Sequence, residues 1–539
     1  MNNVRQSHAS ACPRTLLVKS DPAQPAEPTR SLLLRPRLIP VWIGIAAFLA
    51  VAYTINDPGL TWDEPITMVA SEQYVDWLLS PSFSGEGIDR AWRINHEHPP
   101  LAKVWIGFVR RAAAGVAGVD DQTGSRLAVA LLFGALVPLV FVAARGEADG
   151  VSTTANVAGI SAAAFALLMP RLFAHAHFAA LDLAMALMWL ATALAFARGF
   201  TSRRWAVAAG VLFGLALLTK INAVFIPLPL LAWALIVHGR KALVPALLLA
   251  GIGAVVFVAG WPWLWPDLLG RLHDYFIGTT VDRWKVPVYY LGRIYAETYA
   301  PWHYPFVLTA FTIPLGTFAC MLAGIFRTVR SRMTARMPLL ALINFAAILA
   351  VTALPGVPKY DGVRLFLAAF PFAAWLAGYG FAWGWQRLAD WRWRPIAAAV
   401  FILLQGVGIL TLHPYETSYY SGLCGALPGA HRLGMETSYW GDVYAGPVLG
   451  FVQGLPPETT VAFHPLSSFV RPVYQNAGFP IVEFSSGGFD YAVIMAREGM
   501  LLQNERAADM FAHGRRVLEI KRLGIALCVI VDNTQGSLQ

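Results

Sequence analysis

Long apolar blocks without charge constrain this chain more than any other feature. Residues 242–258 contain no charged side chain and no strand-like alternation of apolar and polar positions. About 20 apolar residues in helical form cross the hydrocarbon of a bilayer. Comparable blocks fall at 38–55, 126–144, 155–174, 181–198, 205–226, 227–238, 243–261, 306–326, 337–354, 365–385 and 395–412. They predict an α-helical polytopic membrane protein with about eleven transmembrane helices. Composition agrees: 57% of the residues are hydrophobic and 14% charged, against about 25% charged in soluble chains.

The formal charge is +9, but its distribution argues against nucleic acid as a partner. Basic residues cluster in short connections between apolar blocks, as cytoplasmic loops do under the positive-inside rule. With the N-terminus inside, Arg198/Arg203/Arg204, Arg240/Lys241, Arg327/Arg330/Arg332/Arg336 and Arg387/Arg392/Arg394 all fall on the inner side. The same counting places the loops 57–124 and 266–305, and everything from 413 onward, outside. The expected localisation is a multi-pass inner (plasma) membrane protein with a cytoplasmic N-terminus.

Three regions follow. Residues 1–37 are polar, with six Lys and Arg against Asp21 and Glu27, and read as a cytoplasmic tail. They lack the order of basic start, apolar run and small-residue cleavage site of a signal peptide. Residues 38–412 form the transmembrane domain, and 413–539 a small periplasmic α/β domain. Strand-like runs there lie at 460–463, 491–495 and 525–531, with a helix at 503–513. In the first outer loop, 65–79 and 100–116 are amphipathic and predict helices lying along the interface. None of Cys12, Cys320, Cys424 and Cys528 has metal-ligand spacing; Cys424 and Cys528 are able to pair if both are periplasmic.

Ionisable residues gather at the outer rim. Thr61-Trp62-Asp63-Glu64-Pro65 opens a helix just outside the first span. Adjacent helical residues do not share a face, so one carboxylate faces a cavity while the other caps or pairs. Asp63 suits a general base that takes a proton from an acceptor hydroxyl; the alternative is a plain acidic helix start. His96-Glu97-His98-Pro99-Pro100-Leu101-Ala102-Lys103 supplies donors at the interface or is a solvated loop. Arg171, His175, His177 and Asp182 lie together around an outer junction. Asp182 either positions an acceptor and supports Asp63 or forms an ion pair with Arg171. Lys220, inside an apolar helix, faces an anion or snorkels. In Lys359-Tyr360-Asp361-Gly362-Val363-Arg364, the guanidinium fork suits phosphate. Arg126 occupies a similar place at the start of the second span. For both arginines the alternative is headgroup anchoring.

Moving a sugar from a lipid phosphate requires a base, cations for the leaving phosphate and a groove for the lipid. Asp63, then Arg126, Lys220 and Arg364, then the helical bundle meet those requirements. That reaction needs no cofactor; a divalent metal held by His175, His177 and acids is the alternative, although His-x-His on a helix splays its two rings. No phosphate-cradling Gly-rich loop of the Walker or dinucleotide type follows a strand, so a nucleotide-sugar donor is disfavoured.

These motifs resemble the protein O-mannosyltransferases, family 39 of the glycosyltransferases, which have a GT-C fold. The resemblance rests on Asp63-Glu64, on His98-Pro99-Pro100-Leu101-Ala102-Lys103 and on Arg126. It extends through Pro170-Arg171-Leu172-Phe173-Ala174-His175 to Asp182, from Gly214 to Lys220, and through Asp361-Gly362-Val363-Arg364-Leu365-Phe366. After the last span it includes His413-Pro414-Tyr415-Glu416 and Tyr439-Trp440-Gly441. The chain also looks like the bacterial aminoarabinose transferases. The resemblance implies inverting transfer from an undecaprenyl- or dolichyl-phosphate sugar to a lipid, glycan or protein acceptor. It implies Asp63 as the catalytic acid, Glu64 as its partner and Arg126 near the donor phosphate. His98 and Lys103 join Arg126, Lys220 and Arg364 as candidates for binding the donor phosphate. Ala102 stands where the mannosyltransferases have glycine, and His98 where the aminoarabinose transferases have lysine. No β-trefoil repeat follows the last span.

Two other functions compete. A transporter or flippase of lipid-linked sugars wants broken helices at mid-membrane and inverted repeats, whereas charge here gathers at one face. A polysaccharide ligase or polymerase using a lipid diphosphate donor is the third.

Overall fold

Helices form in the apolar blocks because a bilayer leaves backbone groups no other partner. The computed structural model describes residues 38–146, 153–280 and 285–534. The expected tail 1–37, with Cys12, lies outside the described residues. Of the first compact unit, Met1–Ile39, only Leu38 and Ile39 are described; the second unit is Pro40–Gln539. The protein is a largely helical, multi-pass membrane protein. Among the described residues, five helical stretches are long and apolar enough to cross a membrane: Asp121–Arg145, Asp182–Gly199, Ile221–Ala259, Arg336–Ala353 and Arg394–Leu412. Ile39–Ala52 and Thr153–Leu167 are shorter apolar helices.

Two helices meet most closely where both carry glycine. A Cβ on Gly380, in the helix Ala369–Arg387, would collide with the Cys320 carbonyl of Leu315–Arg330, and one on Gly324 with the Leu376 carbonyl. Small residues let helix backbones approach where lipid supplies no hydrophobic drive.

One local departure from expectation shapes the rim. The predicted span 205–226 is not one helix: Arg203–Leu217 stops, Lys220 is extended (φ −159°, ψ 148°), and a short turn Ile221–Phe225 leads into Pro227–His238. Lys220 therefore stands at a helix break, not within an apolar helix. The freed Leu218 carbonyl accepts from the Leu101 N–H at 2.8 Å, tying the break to the first outer loop. In that loop the amphipathic segments form Glu64–Leu79 and Leu101–Ala117, which pack on each other with Gly107 against the Ser71 carbonyl.

The second outer loop carries an unforeseen hairpin of β1 (Pro287–Tyr290) and β2 (Arg293–Ala296). The remaining strands form one mixed sheet: β3 (Val461–His464), β4 (Ile481–Val482), β5 (Tyr491–Met495), β6 (Arg515–Arg522) and β7 (Ile525–Asp532). Their order is β4-β3-β5-β7-β6; β3 runs parallel to β4 and β5, whereas β7 is antiparallel to β5 and β6. Ala462, Ile494 and Val529 pack against Ala507 and Met510 of the helix Glu505–His513. Cys424 and Cys528 are both unpaired. Between the last apolar helix and this sheet, Tyr439 and Trp440 pack on Ala174, Phe178 and Ala180 of the helical part.

Candidate active site

Backbone geometry makes the two neighbouring acids diverge. The Trp62 N–H donates to the Trp440 carbonyl at 3.1 Å, fixing the chain just before the helix Glu64–Leu79. Asp63 is the residue before that helix, yet its side chain makes no capping bond. Its carboxylate is 33% exposed and accepts from Arg364 Nη2 through Oδ2 alone, so Oδ1 is open among the described residues.

Glu64 turns inward and is fully buried. It accepts from Thr61 N and Oγ1 at 2.8 and 3.0 Å, from Ala179 N at 3.0 Å, and from Arg126 Nε and Nη2 at 2.8 and 2.9 Å. Arg126 gives its remaining donors to the carbonyls of Ile55, Pro58 and Gly59. This closed set pins the first outer loop to the helix Asp121–Arg145, and Arg126 has no donor left over for a ligand.

Four of the expected residues meet in one cluster. Arg364 reaches Asp63 through Nη2, Asp182 Oδ2 from Nε at 3.1 Å, and Asp361 Oδ2 from Nη1 at 3.0 Å. Lys220 Nζ donates to the other Asp182 oxygen at 2.5 Å. Asp182 is thus partnered by Lys220 and Arg364, not by Arg171. Lys220 gets there because the helix break turns it out of the bundle wall. Arg364 gets there because Asp361 and Gly362 both adopt left-handed backbone, φ 52° and 61°. Gly362 is required by contact as well: a Cβ there would lie 2.6 Å from Arg171 Nη1 and 2.8 Å from the Tyr439 ring. Inside a poorly hydrated rim such charge pairs are stronger than in water, and the cluster holds its groups in fixed directions.

His98 and Lys103 form a separate set. Lys103 Nζ donates to the carbonyls of Asn95 and His98 at 2.6 and 2.7 Å and to Asn95 Oδ1 at 3.1 Å. Burial pushes the Lys103 ammonium down to about 7. Burial likewise pushes the His98 imidazole down to about 3, keeping it neutral, and its Nδ1 has no hydrogen-bond partner. His177 is engaged by Thr54 Oγ1 at 2.9 Å and the Phe173 carbonyl at 3.0 Å, while the His175 ring lies against Trp440. Among the described residues no group of three or more His, Cys, Asp and Glu is placed to hold a metal ion.

The structure adds residues to the cluster. Arg497, fully buried in the C-terminal region, donates to Asp361 Oδ1 at 2.8 Å, and its guanidinium lies 4.3 Å from the Trp62 ring centroid. Trp440, at φ 71°, covers Arg364 at 4.3 Å. A backbone outlier on a bulky residue is costly and marks a position the surroundings hold by force. Asp361 had a readable signal, three residues before Arg364; Arg497 had none, since its partner is 136 residues away.

Residues 97–265 match the family model of the dolichyl-phosphate-mannose-protein mannosyltransferases. Among solved structures, ArnT from Cupriavidus metallidurans bound to undecaprenyl phosphate superposes with a TM-score of 0.51 at 18% identity, covering 92% of this chain and 98% of that one. Its apo form gives 0.50 at the same identity and coverage. The oligosaccharyltransferase of Archaeoglobus fulgidus gives 0.46 at 12% identity, over 85% of this chain and 66% of that one. No curated protein sequence matches the chain. The ArnT likeness establishes a GT-C type fold.

Proposed function

We propose that the chain is a membrane glycosyltransferase related to the dolichyl-phosphate-mannose-protein mannosyltransferases, which transfers a sugar from a polyprenyl-phosphate carrier to an acceptor hydroxyl on the outer face of the bilayer. The observation that carries this is the half-open Asp63 carboxylate, held by Arg364 beside the Asp182–Lys220 pair. The carrier is an undecaprenyl or dolichyl phosphate, as in the ArnT complex with undecaprenyl phosphate.

In the proposed step Asp63 Oδ1 takes the acceptor's hydroxyl proton. The acceptor oxygen forms a bond to the anomeric carbon as the bond from that carbon to the phosphate oxygen breaks. The polyprenyl phosphate leaves with the electron pair, and the anomeric configuration inverts. Arg364 and Lys220 stabilise the charge that develops on the leaving phosphate. Asp182 positions both cations. His98 offers an open ring nitrogen to the donor, and Lys103 fixes the loop that carries it. Glu64 and Arg126 act through the position of Asp63. The N-terminus is cytoplasmic, residues 413–539 are periplasmic, and the membrane is the inner one.

Mass spectrometry of envelope glycans from cells with the protein, without it and with Asp63→Asn tests this proposal. One glycan should lose a sugar in the second and third strains alike. Identical glycans in all three would defeat it.

A further inference from the structure

Arg171 is a buried cation without a salt-bridge partner among the described residues. It is 1% exposed and donates from Nε to the Tyr419 carbonyl and from Nη1 to the Tyr439 hydroxyl, both at 3.1 Å. Among the described residues no carboxylate pairs with it, and Nη2 has no hydrogen-bond partner. The guanidinium lies over the rings of Tyr420 and Tyr439, 5.0 and 5.3 Å from their centroids. Buried charges without a partner are costly, and proteins keep them where something else supplies the opposite charge.

The neighbouring cluster differs in this respect. There Arg364 and Lys220 face Asp63, Asp182 and Asp361, and Arg497 faces Asp361 and Glu436, so every cation has a carboxylate. Arg171 stands next to that cluster, because its Nη1 abuts Gly362, the neighbour of Asp361. It lines a small cavity with Tyr289 and Tyr290 of the β1–β2 hairpin, Tyr304, Tyr420 and Glu436. Glu436 lies with Arg497, Nε to Oε1 3.9 Å, and makes no ion pair with Arg171.

We infer that Arg171 and its tyrosines form a seat for a substrate oxyanion beside the Asp63–Arg364 cluster, where a phosphate reaches both. Nη2 donates to the anion, and the tyrosine rings border whatever carries it. The oxyanion belongs either to the lipid carrier's phosphate or to a soluble phosphate-bearing molecule. The inference deepens the proposed transfer reaction, but binding is measured without turnover, so each stands or falls separately.

The test is equilibrium binding to the full chain in nanodiscs, with undecaprenyl phosphate, undecaprenol and inorganic phosphate as probes. Undecaprenyl phosphate binding more tightly than undecaprenol identifies the lipid source, and inorganic phosphate binding alone identifies the soluble one. In either case Arg171→Met should weaken the phosphate-dependent part at least about tenfold, the loss of one charge-assisted hydrogen bond. Tyr439→Phe, which removes the hydroxyl that fixes the guanidinium and keeps the charge, should weaken it several-fold and serves if Arg171→Met fails to fold. Unchanged phosphate binding in a folded Arg171→Met, or failing that in Tyr439→Phe, overturns the seat, as does the absence of phosphate-dependent binding to the wild type.

Discussion

Arg364 and Asp63 are 301 residues apart in sequence and joined directly, guanidinium Nη2 to carboxylate Oδ2. The same fork holds Asp182 and Asp361, so one side chain sets the directions of three carboxylates. Such pre-set geometry is what transition-state stabilisation requires, since no group has to reorganise during reaction.

Removing one cation should therefore cost activity without unfolding the protein. Lys220→Met is expected to lower kcat about 100-fold or more, with a smaller loss of stability than Arg126→Met because Asp182 keeps Arg364 as a partner. Transfer assays on purified protein check this; near wild-type kcat would leave Lys220 with no part in the chemistry.

The Glu64–Arg126 clasp should behave in the opposite way. Arg126→Met strands a buried carboxylate, and breaking such a pair costs about 3–5 kcal/mol. Denaturation in detergent should show that loss for Arg126→Met. The double change Glu64→Gln with Arg126→Met should cost less than the sum of the two singles. A stable, inactive Arg126→Met would instead give Arg126 a direct role toward the donor.

His413 ties Asp57, after the first helix, to Glu416, after the last apolar helix. It is 2.6 Å from Glu416 Oε1 and 2.8 Å from Asp57 Oδ2. Its hydrogen bond to Glu416, then that to Asp57, raises its imidazole from the ordinary 6.5 to about 9. A raised folded-state value means the stabilisation is complete below about 6.5 and is lost as pH rises through about 9. Melting temperature should fall across that window in the wild type and fall less in His413→Gln. Parallel curves for the two proteins would show that the tie is energetically silent.

Orientation is open to labelling. His431 is exposed, with 53% of its side chain accessible. His431→Cys in a cysteine-free background should react with an impermeant maleimide added from outside only. Reaction from the cytoplasmic side alone would invert the proposed topology.

Much of the helical part was legible because a bilayer imposes length and apolarity on every crossing. Strands β3, β5 and β7 were legible for a related reason: each buries a continuous run of apolar residues. Strand β6 escaped because it pairs on one side only and is rich in charge, with Arg515, Arg516, Glu519, Lys521 and Arg522. Charged edges resist further pairing and carry little hydrophobic pattern. Strand β4, two residues long, has no period to read. Within the site, Asp63, Asp182, Lys220 and Arg364 stood out as charges beside apolar blocks. What the sequence concealed was pairing at a distance. Asp182 takes Lys220 and Arg364, not the nearer Arg171, because the break after Leu217 and the left-handed turn at Asp361 redirect both cations.

The central claim is that Asp63 accepts the acceptor's proton. Sugar transfer from undecaprenyl-phosphate-linked donors by purified protein in nanodiscs, wild type against Asp63→Asn, measures it directly. The account predicts a fall of about 100- to 10,000-fold with unchanged melting behaviour and inverted anomeric configuration in the residual product. Transfer by Asp63→Asn at the wild-type rate would contradict it.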